Sequence, residues 1–246
     1  KAAELRRVAH LEERAKAALE VPYANLWAGS PHADGAAEAF IHWNEEDPKE
    51  VPVTCAKCHS TYGYQDYLGA DGSAAGVVDK PAAIGSTVTC VACHNTATLK
   101  LTSVTFPSGI EIGGLGDEAR CMICHQGRAS GQTVTDALAK AALPDDDTPS
   151  DQLGFTNIHY RAAAATLYGT LTKGGFEYEG RSYDGKFTHV NGYDTCVACH
   201  NSHTLEVKVN ECSTCHTNVK TADDLKNIRM AGSEVDFDGD GDVEEG

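Results

Sequence analysis

A chain of 246 residues with 36 acidic against 20 basic side chains, a formal charge of −16, is unsuited to nucleic acid or an anionic membrane surface and better matched to a basic or cationic partner. Hydrophobic residues reach 41% but aromatics only 7%, with 24 glycines; that is thin for a purely protein core and points to a loop-rich fold whose interior holds something else. No run of about 20 apolar residues occurs, so no transmembrane segment is expected, and without an initiator Met or apolar leader Lys1 reads as a processed or trimmed start.

The first 54 residues contain no cysteine and are expected to be mainly helical. Residues 2–20, AAELRRVAHLEERAKAALE, set Leu5, Val8, Leu11, Ala15 and Leu19 on one helical side, with His10 opposite among Arg6, Glu13 and Arg14. Residues 30–43, SPHADGAAEAFIHW, predict a short helix capped by Asp34, beginning just after His32 and carrying His42 near its end. Further along, TLKLTSVTFPSGIEI (98–112) reads as a β-hairpin about a PSG turn, with Leu99, Leu101, Val104, Phe106, Ile110 and Ile112 apolar. The Pro- and Asp-rich LPDDDTPSD (143–151) reads as a surface loop, and FTNIHYRAAAATLYG (155–169) as a helix capped by Thr156 or Asn157 with His159 near its start. FEYEGRSYDGKF (176–187) is a second hairpin candidate, turning at Asp184-Gly185, and LEVKV (205–209) a short strand.

All ten cysteines fall into five Cys-x-x-Cys pairs, each followed at once by histidine: Cys55/Cys58/His59, Cys90/Cys93/His94, Cys121/Cys124/His125, Cys196/Cys199/His200 and Cys212/Cys215/His216. This is the attachment motif of c-type haem. Two thiols at this spacing reach two vinyl groups on one side of a porphyrin, and the next residue presents its imidazole to the iron. Zinc held by paired thiolates does not require a histidine after every pair, and neither do structural disulfides or thioredoxin-like redox pairs. No repeat beyond the motifs is expected.

With these motifs, spanning residues 55 to 216, the chain resembles the multihaem c-type cytochromes. The resemblance implies covalent haem outside the cytoplasm (extracellular or periplasmic), short distances between neighbouring haems, and electron transfer to redox protein partners or extracellular acceptors. Five haems c in 246 residues leave too little protein for a globular domain around each, so the fold expected is a multihaem cytochrome c: loop-rich, mainly short α-helices with a few β-hairpins, haems forming much of the core. One pentahaem domain over 1–246 is expected, with a helical ligand-supplying segment (1–54), haems 1–3 (55–125), a motif-free insert (126–195), haems 4–5 (196–216) and a helix plus acidic tail (217–246).

Six histidines remain beyond the five proximal ones. His32, His42, His159, His189 and His203 are candidate distal ligands, and His10 is a reserve or inter-subunit ligand. Met122 lies inside its own motif and Met230 near the tail, so bis-histidine ligation and low potentials are expected. His203 follows His200 by three residues and is expected to reach a second haem beside that of His200. In the tail Asp236, Asp238, Asp240 and Asp242 match alternate positions of an EF-hand calcium loop whose final carboxylate would fall past Gly246; either the chain continues or the tail is a solvated acidic segment. Two narrower expectations accompany the resemblance: an extracellular conductive homopolymer of the nanowire kind, motivated by His10, and, as the alternative function, a multihaem reductase of nitrogen or sulfur oxyanions. Multihaem nitrite reductases mark the catalytic haem with lysine in place of the motif histidine; here all five motifs keep histidine.

Overall fold

The computed structural model describes residues 21–145 and 147–228, together with residues 235, 236, 239 and 241. The described chain falls into two compact units, one built from Ala39–His200 and one from parts of Lys1–Glu38 and Asn201–Gly246. The N-terminal amphipathic segment with His10, Met230, and Asp238, Asp240 and Asp242 lie outside the described residues.

Short helices joined by turns make up most of both units, as the composition implied. In chain order the helices are α1 (Ala24–Ala28), α2 (Glu38–Ile41), α3 (Val53–His59), α4 (Thr61–Tyr67), α5 (Cys90–Cys93), α6 (Ala119–His125), α7 (Gly131–Ala141), α8 (Ala163–Tyr168), α9 (Cys196–Cys199) and α10 (Val209–Cys212). Among the described residues none is long and apolar enough to cross a membrane. Two antiparallel ribbons accompany them. β1 (Glu50–Val51) pairs with β2 (Ala82–Ala83), and β3 (Ser103–Thr105) pairs with β4 (Glu111–Gly113) in the register Val104↔Ile112.

The expected hairpin at 98–112 is present, although Leu99 lies in a 3₁₀ turn and is 69% exposed. Other expectations need correction. Residues 21–54 are mostly turns, and α2 begins six residues after His32 and ends just before His42. Asp34 does not cap it; its carboxylate accepts the Ala36 N–H at 3.0 Å in the preceding turn. Residues 176–187 form no strand, because their backbone is engaged elsewhere: Thr170 N–H donates to the Asp184 carbonyl (3.1 Å) and Phe187 N–H to the Leu167 carbonyl (2.7 Å). Residues 205–209 hold only an isolated bridge at Val207 rather than a strand, and Val209 opens α10. In the described part of 217–246 the helix is a 3₁₀ turn, Asp223–Asn227.

The core of the larger unit is centred on α4, which carries no motif. Its N-cap Ser60 accepts the N–H groups of Tyr62 and Gly63 at 3.1 and 3.4 Å, satisfying two donors that the helix leaves open. Gly63 then lies against Ala56 of α3 so closely that a Cβ would overlap the Ala56 carbonyl. Thr61 accepts the Thr89 N–H at 2.8 Å and donates to the Thr87 carbonyl at 2.6 Å, fixing the segment that enters α5. Gln65 donates to the Val91 carbonyl within α5 (3.1 Å), and Tyr64 Oη donates to the Arg120 carbonyl in α6 (2.9 Å). Asp66, buried at the far end, accepts Ser73 Oγ (2.9 Å) and the Asp79 N–H (3.0 Å). Burial alone would raise its pKa, but these hydrogen bonds outweigh it and hold the carboxyl below its ordinary value.

Two outcomes follow. Gly63→Ala forces α3 and α4 apart, and denaturant titration should show a loss of about 1–3 kcal/mol, whereas Gly72→Ala, with open space around it but a positive φ of 96°, should separate only a local backbone cost from the helix contact. Asp66→Ala leaves buried donors unsatisfied and should cost about 1–3 kcal/mol. Because the folded pKa is depressed, the stabilisation from ionised Asp66 is present above about pH 4 and is lost as pH falls through the folded value; an Asp66→Asn chain should show a smaller loss of stability over that acid range than the parent.

Candidate haem-binding site

Each of the first four Cys-x-x-Cys-His segments is built on a single helical turn, and the chemistry of attachment follows from that turn. At the ends of α5 and α9 the histidine N–H donates to the carbonyl of the first cysteine, His94 to Cys90 and His200 to Cys196, both at 2.8 Å. In α3 and α6 the helix itself runs through the histidine. Cysteines three apart on such a turn share one side of it. The residues between them face inward where the core is deepest: Ala56, Ala92 and Met122 are 0% exposed and Ile123 is buried. Met122 therefore packs in the core with Tyr64, Leu115 and Tyr168. None of the ten cysteines forms a disulfide, and none is fully buried.

The fifth motif is not contained in one helix. α10 ends at Cys212, so Cys215 lies beyond the helix, in a turn where its N–H donates to the Cys212 carbonyl at 3.2 Å and the His216 N–H to the same carbonyl at 2.9 Å. That shared acceptor keeps the spacing of the motif without a continued helix. Cys215 is exposed, as is Cys90 of the second motif. The reason for Cys215 is local: Ser213 and Thr214 are not buried, so the turn brings no core of its own against the thiol.

Two proximal histidines show how the imidazole is prepared. His59 Nδ1 lies 2.8 Å from the Ala39 carbonyl, and His125 Nδ1 lies 2.9 Å from the Arg161 carbonyl. A carbonyl can only accept, so each Nδ1 carries the proton and each Nε2 is left as the basic nitrogen that a metal takes. Burial pushes the His59 pKa down and the nearby His42 adds to this, while the Ala39 carbonyl opposes it. The neutral, ligating form is the favoured one.

His159 is brought to the same place by an unusual backbone. It has φ 83°, a left-handed conformation that side chains other than glycine seldom adopt, and its N–H is held at 2.7 Å by Asn157 Oδ1. The expected helix begins only at Ala163, with Ala162 as its N-cap, and Asn157 serves instead to turn the chain at His159. Arg128 N–H donates to the Ile158 carbonyl (3.0 Å), so the loop is fastened just beyond α6. The His159 ring then stands 5.9 Å from that of His59, centroid to centroid, at 73°, with its Nδ1 buried and without a hydrogen-bond partner. Burial lowers its pKa, with Arg128 and His59 adding to the effect. Two imidazoles bound trans to one metal at about 2 Å per bond place their ring centres roughly 6 Å apart. Trp43 lies edge-on to both His42 (4.9 Å) and His59 (5.3 Å).

Thiols of different motifs also meet. Cys124 Sγ lies 3.5 Å from the Lys57 carbonyl and Cys58 Sγ 4.0 Å from the Cys124 carbonyl, and the thiols influence each other's titration in two pairs, Cys58 with Cys124 and Cys121 with Cys196. In each pair one thiol is held down to about 7 by its partner, Cys58 in the first and Cys196 in the second, and the other is pushed up. Large apolar side chains stand uncovered nearby in sequence, Phe155 at 92% and Tyr160 at 80% exposure among them. Paired thiols on one turn, neutral imidazoles with the right nitrogen free, and apolar surface left for a macrocycle fit covalent haem. Among the described residues no three His, Cys, Asp or Glu side chains converge into a compact metal site of the zinc kind.

Comparison with known proteins agrees. Residues 39–126, which carry the first three motifs and begin where the larger unit begins, match the family described as cytochrome c7 and related cytochrome c. The C-type polyheme cytochrome OmcB of Geobacter sulfurreducens is 29% identical over 218 residues, covering 74% of this chain and 25% of that protein. OmcC of the same organism, also a C-type polyheme cytochrome, is 30% identical over 156 residues, 61% of this chain and 16% of that protein.

Over the matched residues the chain is similar to multihaem c-type cytochromes.

It spans about a quarter of the length of the first of these relatives, and no solved structure matches it. The other ligand candidates of this chain are placed less tightly by the described contacts. His32 sits in the turn after α1, and His189 in the irregular segment before α9. His203, in the smaller unit, stacks on Tyr23 at 4.5 Å and 17°. Its loop exposes a repeat longer than the motif: residues 89–99, TCVACHNTATL, and 195–205, TCVACHNSHTL, agree at nine positions of eleven. Asn95 Oδ1 accepts the N–H groups of Ala97 and Thr98, both at 2.9 Å, and Asn201 Oδ1 accepts those of His203 and Thr204 at 2.9 and 3.0 Å. His203 thus occupies the position of Ala97 in a copied turn. In the tail, Asp236 accepts the N–H groups of Gly239 (2.6 Å) and Gly241 (2.9 Å).

Proposed function

We propose that this chain is a multihaem c-type cytochrome, a non-enzymatic electron carrier with five haems c, attached through Cys55/Cys58, Cys90/Cys93, Cys121/Cys124, Cys196/Cys199 and Cys212/Cys215 with His59, His94, His125, His200 and His216 proximal. When bound, haem supplies a one-electron iron couple; the chain supplies its position, its ligands and its surroundings. The observation that carries the reading is the His59–His159 pair, at the separation of trans ligands with Nδ1 of His59 tied to a carbonyl. His159 is assigned on this ground to the iron of the first motif. His32, His42, His189 and His203 remain the candidates for the other irons, and His10 the reserve. Doubly imidazole-ligated iron has no open position for substrate and sits at lower potential than a Met/His site.

The net charge of −16 suits redox partners that present a basic face. The thioether chemistry of the motifs supports a location outside the cytoplasm, in the periplasm or beyond. The homopolymer reading drawing on His10, and that of calcium at Asp238, Asp240 and Asp242, rest on residues outside the described part of the chain.

Pyridine haemochrome assay and intact mass should give five haems c per chain, and a value of four or fewer overturns the pentahaem reading. His159→Gly should convert one haem of the five from low-spin to high-spin in EPR spectra, and added imidazole should restore it. A spectrum that stays wholly low-spin would remove the assignment of His159. His159→Met should instead raise the potential of one haem, read by spectroelectrochemical titration.

A further inference from the structure

Three of the five motifs carry an amide side chain directly after the histidine, Asn95, Gln126 and Asn201, and in the second motif that residue is part of a larger bracket. In α3 and α6 the helix runs through the histidine, but α5 stops at Cys93, and His94 leaves the helical conformation at φ −114° and ψ 74°. Its backbone is therefore fixed by other means. The buried Thr98 sets its hydroxyl between the two peptide groups that flank His94: Oγ1 donates to the Cys93 carbonyl (2.8 Å) and accepts the Asn95 N–H (3.1 Å). Asn95 Nδ2 reaches back to the carbonyls of Val91 (3.0 Å) and Ala92 (2.9 Å), the two residues between the cysteines, whose carbonyls the end of a helix leaves open. Its Oδ1 accepts the Ala97 and Thr98 N–H groups and so holds Thr98 in place. The buried Gln126 makes the corresponding bond in the third motif, with Nε2 donating to the Ile123 carbonyl at 2.9 Å.

We propose that Thr98 and Asn95 are positioning residues for the second motif, a bracket that fixes the backbone of His94 and with it the direction from which the imidazole is offered to iron. The proposal rests on the reading of His94 as a proximal ligand and deepens it. Planar peptide groups leave φ and ψ as the soft torsions of a residue, and one hydroxyl bonded to the peptide on each side restrains both torsions of His94. A ligand positioned before it binds gives up less freedom in binding, so the metal holds it more firmly. The weaker the imidazole donor, the less the ferric state is favoured and the higher the potential of the iron. Opening the bracket therefore acts on one haem, through His94, and not on the chain as a whole.

The test uses the fully loaded chain. His94→Gly removes one low-spin EPR signal and so identifies the haem of the second motif. In Thr98→Val, which replaces the hydroxyl by a methyl group, that signal should shift and broaden and the potential of that haem should rise, read by EPR and spectroelectrochemical titration, with the other haems unchanged. Thr98→Ser should restore both. Asn95→Ala, at a half-buried position, should move the same haem in the same direction, and it carries the test if the Thr98→Val chain does not fold. Thr172→Val removes another buried hydroxyl, one bonded to the Gly169 carbonyl (3.1 Å), and should leave that haem as it is in the parent. A signal and potential unmoved in a folded Thr98→Val chain, or shifts spread over several haems and matched by Thr172→Val, overturn the bracket while leaving His94 a ligand. If His94→Gly removes no low-spin signal, the assignment of His94 itself falls and the proposal falls with it.

Discussion

The contact between Gly63 and Ala56 is the constraint on which the larger unit depends. A side chain at Gly63 would separate the two helices, and α4 could no longer hold the three motifs it touches. From this one helix Thr61 and Gln65 fix the second motif, Tyr64 fixes the third, and Gly63 seats the first. A seven-residue helix is too short to be stable by itself. Its capping by Ser60 and its side-chain hydrogen bonds to neighbouring backbone replace the apolar burial that a larger core would provide.

The division of labour within each motif follows from the same economy of protein. Cysteines and histidine face one side of a turn, and the two intervening residues are left to face the other. In the first three motifs, which are also those covered by the family match, Ala56, Ala92, Met122 and Ile123 form part of the core while Lys57 and Val91 do not; in the fourth and fifth motifs Val197, Ala198, Ser213 and Thr214 are not buried.

Much of the chemistry was legible in the sequence because it is local. Five identical spacings specify five turns, and the β3–β4 hairpin could be read from its alternation and PSG turn. What the spacing does not specify is how each turn is covered, and Cys215, outside its helix and exposed, shows the difference. The scaffold helix was not legible: TYGYQDY has no amphipathic stripe, and its role rests on a missing Cβ and on polar groups bonded across 25 residues or more. The second hairpin failed for the complementary reason. Its turn residues are present, but the backbone groups of Asp184 and Phe187 find partners near α8 rather than in each other's strand. His159 was recognised as a ligand candidate from the count of histidines, yet its route to the site, a left-handed residue held by Asn157, leaves no periodic trace. The repeat around Asn95 and Asn201 was visible in the sequence and is obscured by the motif it contains.

The pairing of His59 with His159 joins residues on either side of about 100 others, and in the unfolded chain such a closure removes about 4–5 kcal/mol of conformational freedom in the chain-entropy description of crosslinks. An iron bound by both is therefore a reversible crosslink as well as a redox centre. Whichever oxidation state holds the imidazole more tightly stabilises the fold by the same free energy by which the fold shifts that iron's potential. Stability and potential are then two readings of one equilibrium, and a substitution in the insert, far along the chain from the first motif, changes both together.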